Sequence, residues 1–202
     1  GRVSGRDGFF YMTQPTPGAA NSSEGYAKRN EAVLFSVSGG VMKENSVTVA
    51  LSAQEGCVIR YTTDCTEPTE SSAVYTQPLA LNATTVVRAR AFSSDGIASL
   101  TATQTYLFGV SHAVRAVSVV TDPYNLWDYN NGMYVAGPNA TSEFPYGSIG
   151  TGANFWMRWE RAANLEIWET DGTVLVNQGA GIALHGQYSR AEAQKAFVMT
   201  AR

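Results

Sequence analysis

Thr85-Val86-Val87-Arg88-Ala89-Arg90-Ala91-Phe92 is the stretch that decides the fold. It alternates with the period of two of a half-buried β-strand. Outward from it, Ser46 to Leu51, Val58 to Thr62, Val74 to Leu81 and Thr103 to Phe108 repeat the alternation. Gly39-Gly40, Glu55-Gly56, Glu67-Pro68, Asn82 and Asp95-Gly96 separate these runs with turn chemistry. Several short strands at this spacing predict a small β-sandwich over residues 33–110.

Composition bounds what surrounds the sandwich. A chain of 202 residues has core enough for one large or two modest domains. It is 44% hydrophobic and 15% charged, with no apolar run near the length of a membrane span. A formal charge of −3 argues against a nucleic-acid partner and against a polybasic membrane patch. Low charge with abundant Thr, Ser, Asn, Gly, Tyr and Val leans towards a secreted all-β protein, hence an extracellular or cell-surface location. Gly1-Arg2-Val3-Ser4 is neither a signal peptide nor an initiator start, so the chain reads as an internal piece of a longer protein. Cys57 and Cys65 flank the run Val58 to Thr63. An extended strand of that length holds its ends roughly 20 Å apart, so both are expected as free thiols unless the chain doubles back at Thr63-Asp64.

On either side the pattern changes. Residues 1–32 are rich in Gly, Ser, Thr, Pro and Asn, and Gln14 to Asn21 has the chemistry of an extended linker or the tail of a preceding module. Residues 111–202 are less regular, with a strand Val114 to Val120 ending at Asp122-Pro123 and then an aromatic, turn-rich stretch, Tyr124 to Gly132. A Gly/Ser/Pro loop from Gly137 to Gly152 is expected to be mobile, and Asn154 to Arg161 to form one helical turn or a loop. Ala163 to Trp168 and Thr173 to Val176 flank Asp171-Gly172, a hairpin signal. Near the end, Ile182, Leu184 and Ala183, His185 alternate into Gly186. A polar turn with Ser189 and Arg190 follows, then Lys195 opens the run Phe197-Val198-Met199. A strand, a Gly-Ser-Arg turn and a lysine on the returning strand present donors to an anionic group; on pattern alone a solvated lysine at a strand start is the more frequent case.

The middle block resembles the fibronectin-III-like modules found at the ends of chitobiases and hexosaminidases. The resemblance rests on Ile59-Arg60-Tyr61-Thr62-Thr63-Asp64, Glu67-Pro68-Thr69, Tyr75, Pro78-Leu79 and Val87-Arg88-Ala89-Arg90-Ala91-Phe92. Cys65 departs from it, standing where the family usually has a small turn residue such as Gly. Residues 111–202 resemble the N-terminal part of the spore-coat CotH kinase-like domain. They do so through Val117-Ser118-Val119-Val120-Thr121-Asp122-Pro123, Asn125-Leu126-Trp127, Gly132-Met133-Tyr134-Val135, Trp159-Glu160-Arg161 and the Gly186 to Phe197 hairpin. Pro15 to Asn21 resembles the exit of a lamin-tail-like module. The fold implied is mainly β, a fibronectin-III/Ig-like sandwich plus a loop-rich β-lobe. By the CotH resemblance Lys195 contacts ATP phosphates, with Ser189 and Arg190 nearby. ATP and Mg²⁺ are then cofactors of a parent that phosphorylates a protein hydroxyl. The acidic residues that hold metal and act on that hydroxyl lie further downstream in the family, so the fragment itself is expected to be catalytically inactive and without cofactor.

Other chemistry is weaker. His112 and His185 stand far apart with no ligand-spaced partners, so no metal site is expected; His185 is expected to satisfy a local hydrogen bond. Asp122, Asn125, Asp128, Asn130 and Asn131 offer oxygens to a hard cation, but Asx-rich turns usually cap their own backbone. Tyr124, Trp127, Tyr129, Tyr134, Phe144, Tyr146, Phe155, Trp156 and Trp159 are either the core of a loop-rich domain, the favoured reading, or a platform for sugar rings. The alternative function is therefore a cell-surface or polysaccharide-binding accessory module, with carbohydrate, a protein substrate or a cell-surface component as partner. A third option is an interaction protein with an open sheet edge.

Overall fold

The computed structural model describes residues 1–3, 5–14, 16–21, 25–141 and 151–201. Pro15, Phe144, Tyr146 and the greater part of the Gly137 to Gly152 loop lie outside the described residues. The chain is mainly β and divides into two compact units: Gly1–Thr63 with Glu67–Gly109, and Asp64–Thr66 with Val110–Arg202. No helix among the described residues is long and apolar enough to cross a membrane.

The first unit opens with β1 (Tyr11–Met12) and β2 (Gly25–Tyr26), an antiparallel pair within the block whose composition predicts a linker. It continues through β3 (Leu34–Phe35), β4 (Gly40–Val41), β5 (Val47–Val49), β6 (Leu51–Ser52), β7 (Val58–Thr62), β8 (Ala73–Val74), β9 (Leu79–Leu81), β10 (Thr85–Phe92) and β11 (Ala102–Leu107). A five-stranded sheet runs β4-β11-β10-β7-β8, while β3 pairs with β6 and β5 with β9. Two runs that read as single strands are divided here. Ser46 to Leu51 breaks at Ala50, whose N–H goes to the Ser36 hydroxyl (2.8 Å) while its carbonyl accepts from the Ser36 N–H (2.9 Å). On one side of that break the chain pairs with β9, on the other with β3. Val74 to Leu81 divides for the same reason, pairing first with β7 and then with β5 across Pro78, which has no N–H to give a ladder. Switching partners at a local irregularity is how strands turn the corner of a two-layer packing.

The side chains of Val49, Leu51, Ile59, Val87, Ala89, Ala91 and Tyr106 make the core of this unit. Tyr106 is fully buried and its hydroxyl donates to the Val37 carbonyl (2.7 Å). The opposite face of β10 carries Arg88 and Arg90, both paired to Glu67; the Thr101 hydroxyl donates to the same carboxylate. Cys57 and Cys65, on either side of β7, form no disulfide and are half-buried. Cys65 has φ +68°, the left-handed region that favours glycine.

The second unit is an antiparallel sheet in the order β12 (Ala116–Val120), β13 (Glu160–Trp168), β14 (Val174–His185), β15 (Ala196–Ala201). Gly172, at φ +91°, makes the tight turn between β13 and β14. Between β12 and β13 lies α1 (Pro123–Trp127), a single short helix with Asp122 as its N-cap and Pro123 in its first turn. Met133, Ala153 and Phe155 pack over Ala163, Ile182 and Leu184 to form this unit's core. Asn154 to Arg161, predicted as one helical turn or a loop, holds a 3₁₀ turn at Asn154–Trp156 and then enters β13 at Glu160.

Candidate functional site

The β14–β15 hairpin carries the residues singled out in the sequence. β14 buries Ile182 and Leu184 and leaves Ala183 and His185 on its other face, so the strand delivers the chain to Gly186 with its apolar side down. Gly186 has φ +103°, and a Cβ there would collide with the Ser189 hydroxyl. A glycine is what lets the turn fold so closely. Tyr188–Arg190 is a single 3₁₀ turn.

Arg190 reaches across to the other 3₁₀ turn. Its Nη2 donates to the Met157 carbonyl (2.8 Å) and its Nη1 to that of Trp156 (3.5 Å), while its Nε is buried without a hydrogen-bond partner. Burial, and then the charge of Arg158, hold the guanidinium below the usual arginine range. Arg158 itself is exposed.

Lys195 is used differently. Its ammonium donates to the carbonyls of Arg190 (2.8 Å) and Glu192 (2.6 Å). It also lies over the rings of Phe155 (4.8 Å) and Tyr134 (5.1 Å). The Tyr134 hydroxyl accepts from the Lys195 backbone N–H (3.1 Å). Desolvation lowers the Lys195 pKa, against an opposing pull from Glu192. The hairpin therefore brings Ser189, Arg190 and Lys195 to one turn, with the lysine closing that turn from within.

Two cavities of about 420 Å³ each share Arg158, Gly186, Gln187 and Arg190 in their walls. Trp156 and Tyr188 are among the other residues of one; Leu184 and His185 are among those of the other. Lys195 is not among the lining residues of either. Arg158 is the cavity residue that sequence reasoning missed. It sits just before β13 with no local pattern to single it out, and only the fold brings it to the Gly186 turn.

The remaining candidates separate clearly. His185, expected to satisfy a local hydrogen bond, is exposed and makes none among the described residues, because alternation along β14 turns it away from the core. The His112 Nδ1 meets the Val114 carbonyl two residues on. Asp122 accepts from the Tyr124 N–H (2.9 Å), and Asp128 from those of Asn130 (3.0 Å) and Asn131 (2.8 Å), so these carboxylates cap their own turns. Among the described residues no group of three or more His, Cys, Asp or Glu is placed to hold a metal. Of the aromatics, Phe155 is core and Tyr134, Trp156 and Trp159 are half-buried, whereas Tyr124, Trp127 and Tyr129 are exposed. Trp127 stacks obliquely on Tyr134, their centroids 4.9 Å apart.

Compared with known families, residues 37–104 match the chitobiase/beta-hexosaminidase C-terminal domain. The match takes in β4 to β10, the first half of β11 and the Glu67–Arg88–Arg90 cluster. No curated protein matches the chain.

Proposed function

We propose that the second unit is the nucleotide-binding lobe of a CotH-like protein kinase domain. The chitobiase/hexosaminidase-type sandwich would be its accessory module in a secreted bacterial multidomain protein. The observation that carries this reading is the Gly186–Arg190 turn, which follows β14 of a four-stranded antiparallel sheet and walls a cavity whose lining its Arg190 shares with Arg158. Phosphoryl transfer needs cations on the phosphates, Mg²⁺ held by carboxylates and an aligned hydroxyl. Arg190 fits the first need, with Ser189 a hydroxyl donor on the same turn and Lys195 holding that turn through the Arg190 carbonyl. The described residues bring together no set of carboxylates to hold Mg²⁺, which leaves this lobe the binding of ATP for a parent whose substrate is a protein hydroxyl. Calorimetric titration of the chain with ATP and Mg²⁺ tests it: binding that is lost in Lys195→Ala supports the lysine's assignment, and unchanged binding in that variant removes it.

A second reading, an accessory module that binds polysaccharide at a cell surface, is favoured by the exposed rings of Tyr124, Trp127 and Tyr129. Ring faces of this kind stack on sugars. Glycan-array binding that disappears in Trp127→Ala or Trp156→Ala would put this reading first; a blank array would leave the nucleotide reading ahead.

A further inference from the structure

We propose that Arg158 and Arg190 act together as a two-guanidinium clamp on the phosphate chain of a nucleoside polyphosphate, its base lying between Trp156 and Tyr188. The proposal rests on the nucleotide reading above and adds to it the residues that do the holding. Both arginines line both cavities, and among the described residues no Asp or Glu lines either. Among the described residues neither arginine has a carboxylate partner, and Arg158 makes no hydrogen bond at all. Arg190 spends two donors on backbone carbonyls and leaves its Nε unanswered. Two cations brought together without a counter-charge repel one another, a cost that a bound anion removes. The lowering of Arg190 by the charge of Arg158 is the same repulsion seen from one side.

Guanidinium is also the side chain that matches phosphate oxygens two at a time. The Gln187 amide adds donors beside it. Trp156 and Tyr188 put two aromatic side chains in the wall of the first cavity, and an aromatic ring is the group on which a base of any identity stacks. A volume of about 420 Å³ is within the range of small-ligand sites. Lys195 is then a positioning residue: by holding the Arg190 carbonyl it fixes where the guanidinium starts from.

The test is calorimetric titration of the whole chain with ATP, sodium tripolyphosphate and adenosine. It compares the unmodified protein, Arg158→Ala, Arg190→Lys and the control Arg115→Ala. Arg115 pairs with Glu169 beyond the far end of β13, so its removal costs the same formal charge elsewhere. The clamp predicts that Arg158→Ala weakens ATP and tripolyphosphate alike by roughly tenfold or more, the worth of a charged hydrogen bond, while the control leaves both unchanged. Arg190→Lys keeps the charge but loses the fork, and weakens both as well. ATP binding that is identical in Arg158→Ala overturns the clamp and leaves the nucleotide reading standing. Tripolyphosphate binding that depends on Arg158, with ATP no tighter and adenosine silent, keeps the clamp and overturns the base site and the nucleotide reading. Binding of none of the three overturns both.

Discussion

At the scale of single residues, the chain carries one conformational cost that a substitution can remove. Cys65 holds a left-handed backbone at φ +68°, a region where a side chain pays and glycine does not. Cys65→Gly is expected to stabilise the protein by about 0.5–1 kcal/mol, less than the full strain because glycine also gains freedom in the unfolded chain. A rise in the urea midpoint at unchanged slope checks it. Lys195 gives a second expectation. Because desolvation lowers its pKa, the folded chain releases this proton at a lower pH than the unfolded chain does. Between the two values the unfolded chain binds more protons, so stability contributed by this group rises with pH. Lys195→Met is expected to flatten that alkaline rise, read as the difference in urea midpoint between neutral and alkaline buffer. An equal slope in both proteins would show the ammonium to be as well hydrated as a surface lysine.

Elements show why some of the fold is legible in the sequence and some is not. β10 was readable from Thr85 to Phe92 because a partner strand pairs it along its whole length, β11 from Thr85 to Ala89 and β7 from Arg88 to Phe92, and it alternates throughout. The breaks at Ala50 and Pro78 were not readable, since each marks a change of pairing partner and partners are far away in sequence. The motif Glu67-Pro68-Thr69 and the pair Arg88, Arg90 looked like separate signals, yet the structure makes them one: a carboxylate facing two arginines on one strand face. The Arg88 side chain is 6% exposed and that of Glu67 41%. Glu67→Ala therefore takes the carboxylate away from a buried guanidinium and is expected to cost about 2 kcal/mol, below the figure for a fully buried pair because Glu67 is half in water. Thermal unfolding checks this against Glu67→Gln, which keeps some of the hydrogen bonding. In the hairpin, Ser189, Arg190 and Lys195 were legible because a local turn gathers them. Arg158 was not, because the Gly186–Arg190 turn that shares the cavity with it comes more than twenty residues later.

For the whole molecule, two cores without a shared residue set the expectation. Leu51→Ala and Ile182→Ala each remove a buried side chain and are expected to cost about 3 kcal/mol. Hydrogen exchange followed by mass spectrometry is expected to show Leu51→Ala loosening β7, β10 and β11 while β13 and β14 stay protected, and Ile182→Ala doing the reverse. Loss of protection throughout from either change would show that the two cores unfold as one. The block of residues 1–32 did not read as structured, since β1 and β2 are two residues each and Asn30 is held by partners more than twenty residues away, among them the Ala91 carbonyl (3.3 Å) and the Ser93 hydroxyl (2.9 Å). The positions of Cys57 and Cys65 at opposite ends of β7 carry a consequence for handling the protein. Extended backbone keeps their sulfurs apart, so air oxidation has no intramolecular ring to close and any bridge must join two molecules. A chain with two such points of attachment is a bifunctional monomer. Without reductant it is expected to grow past dimers into ladders on a non-reducing gel, and replacing either cysteine stops that growth at the dimer.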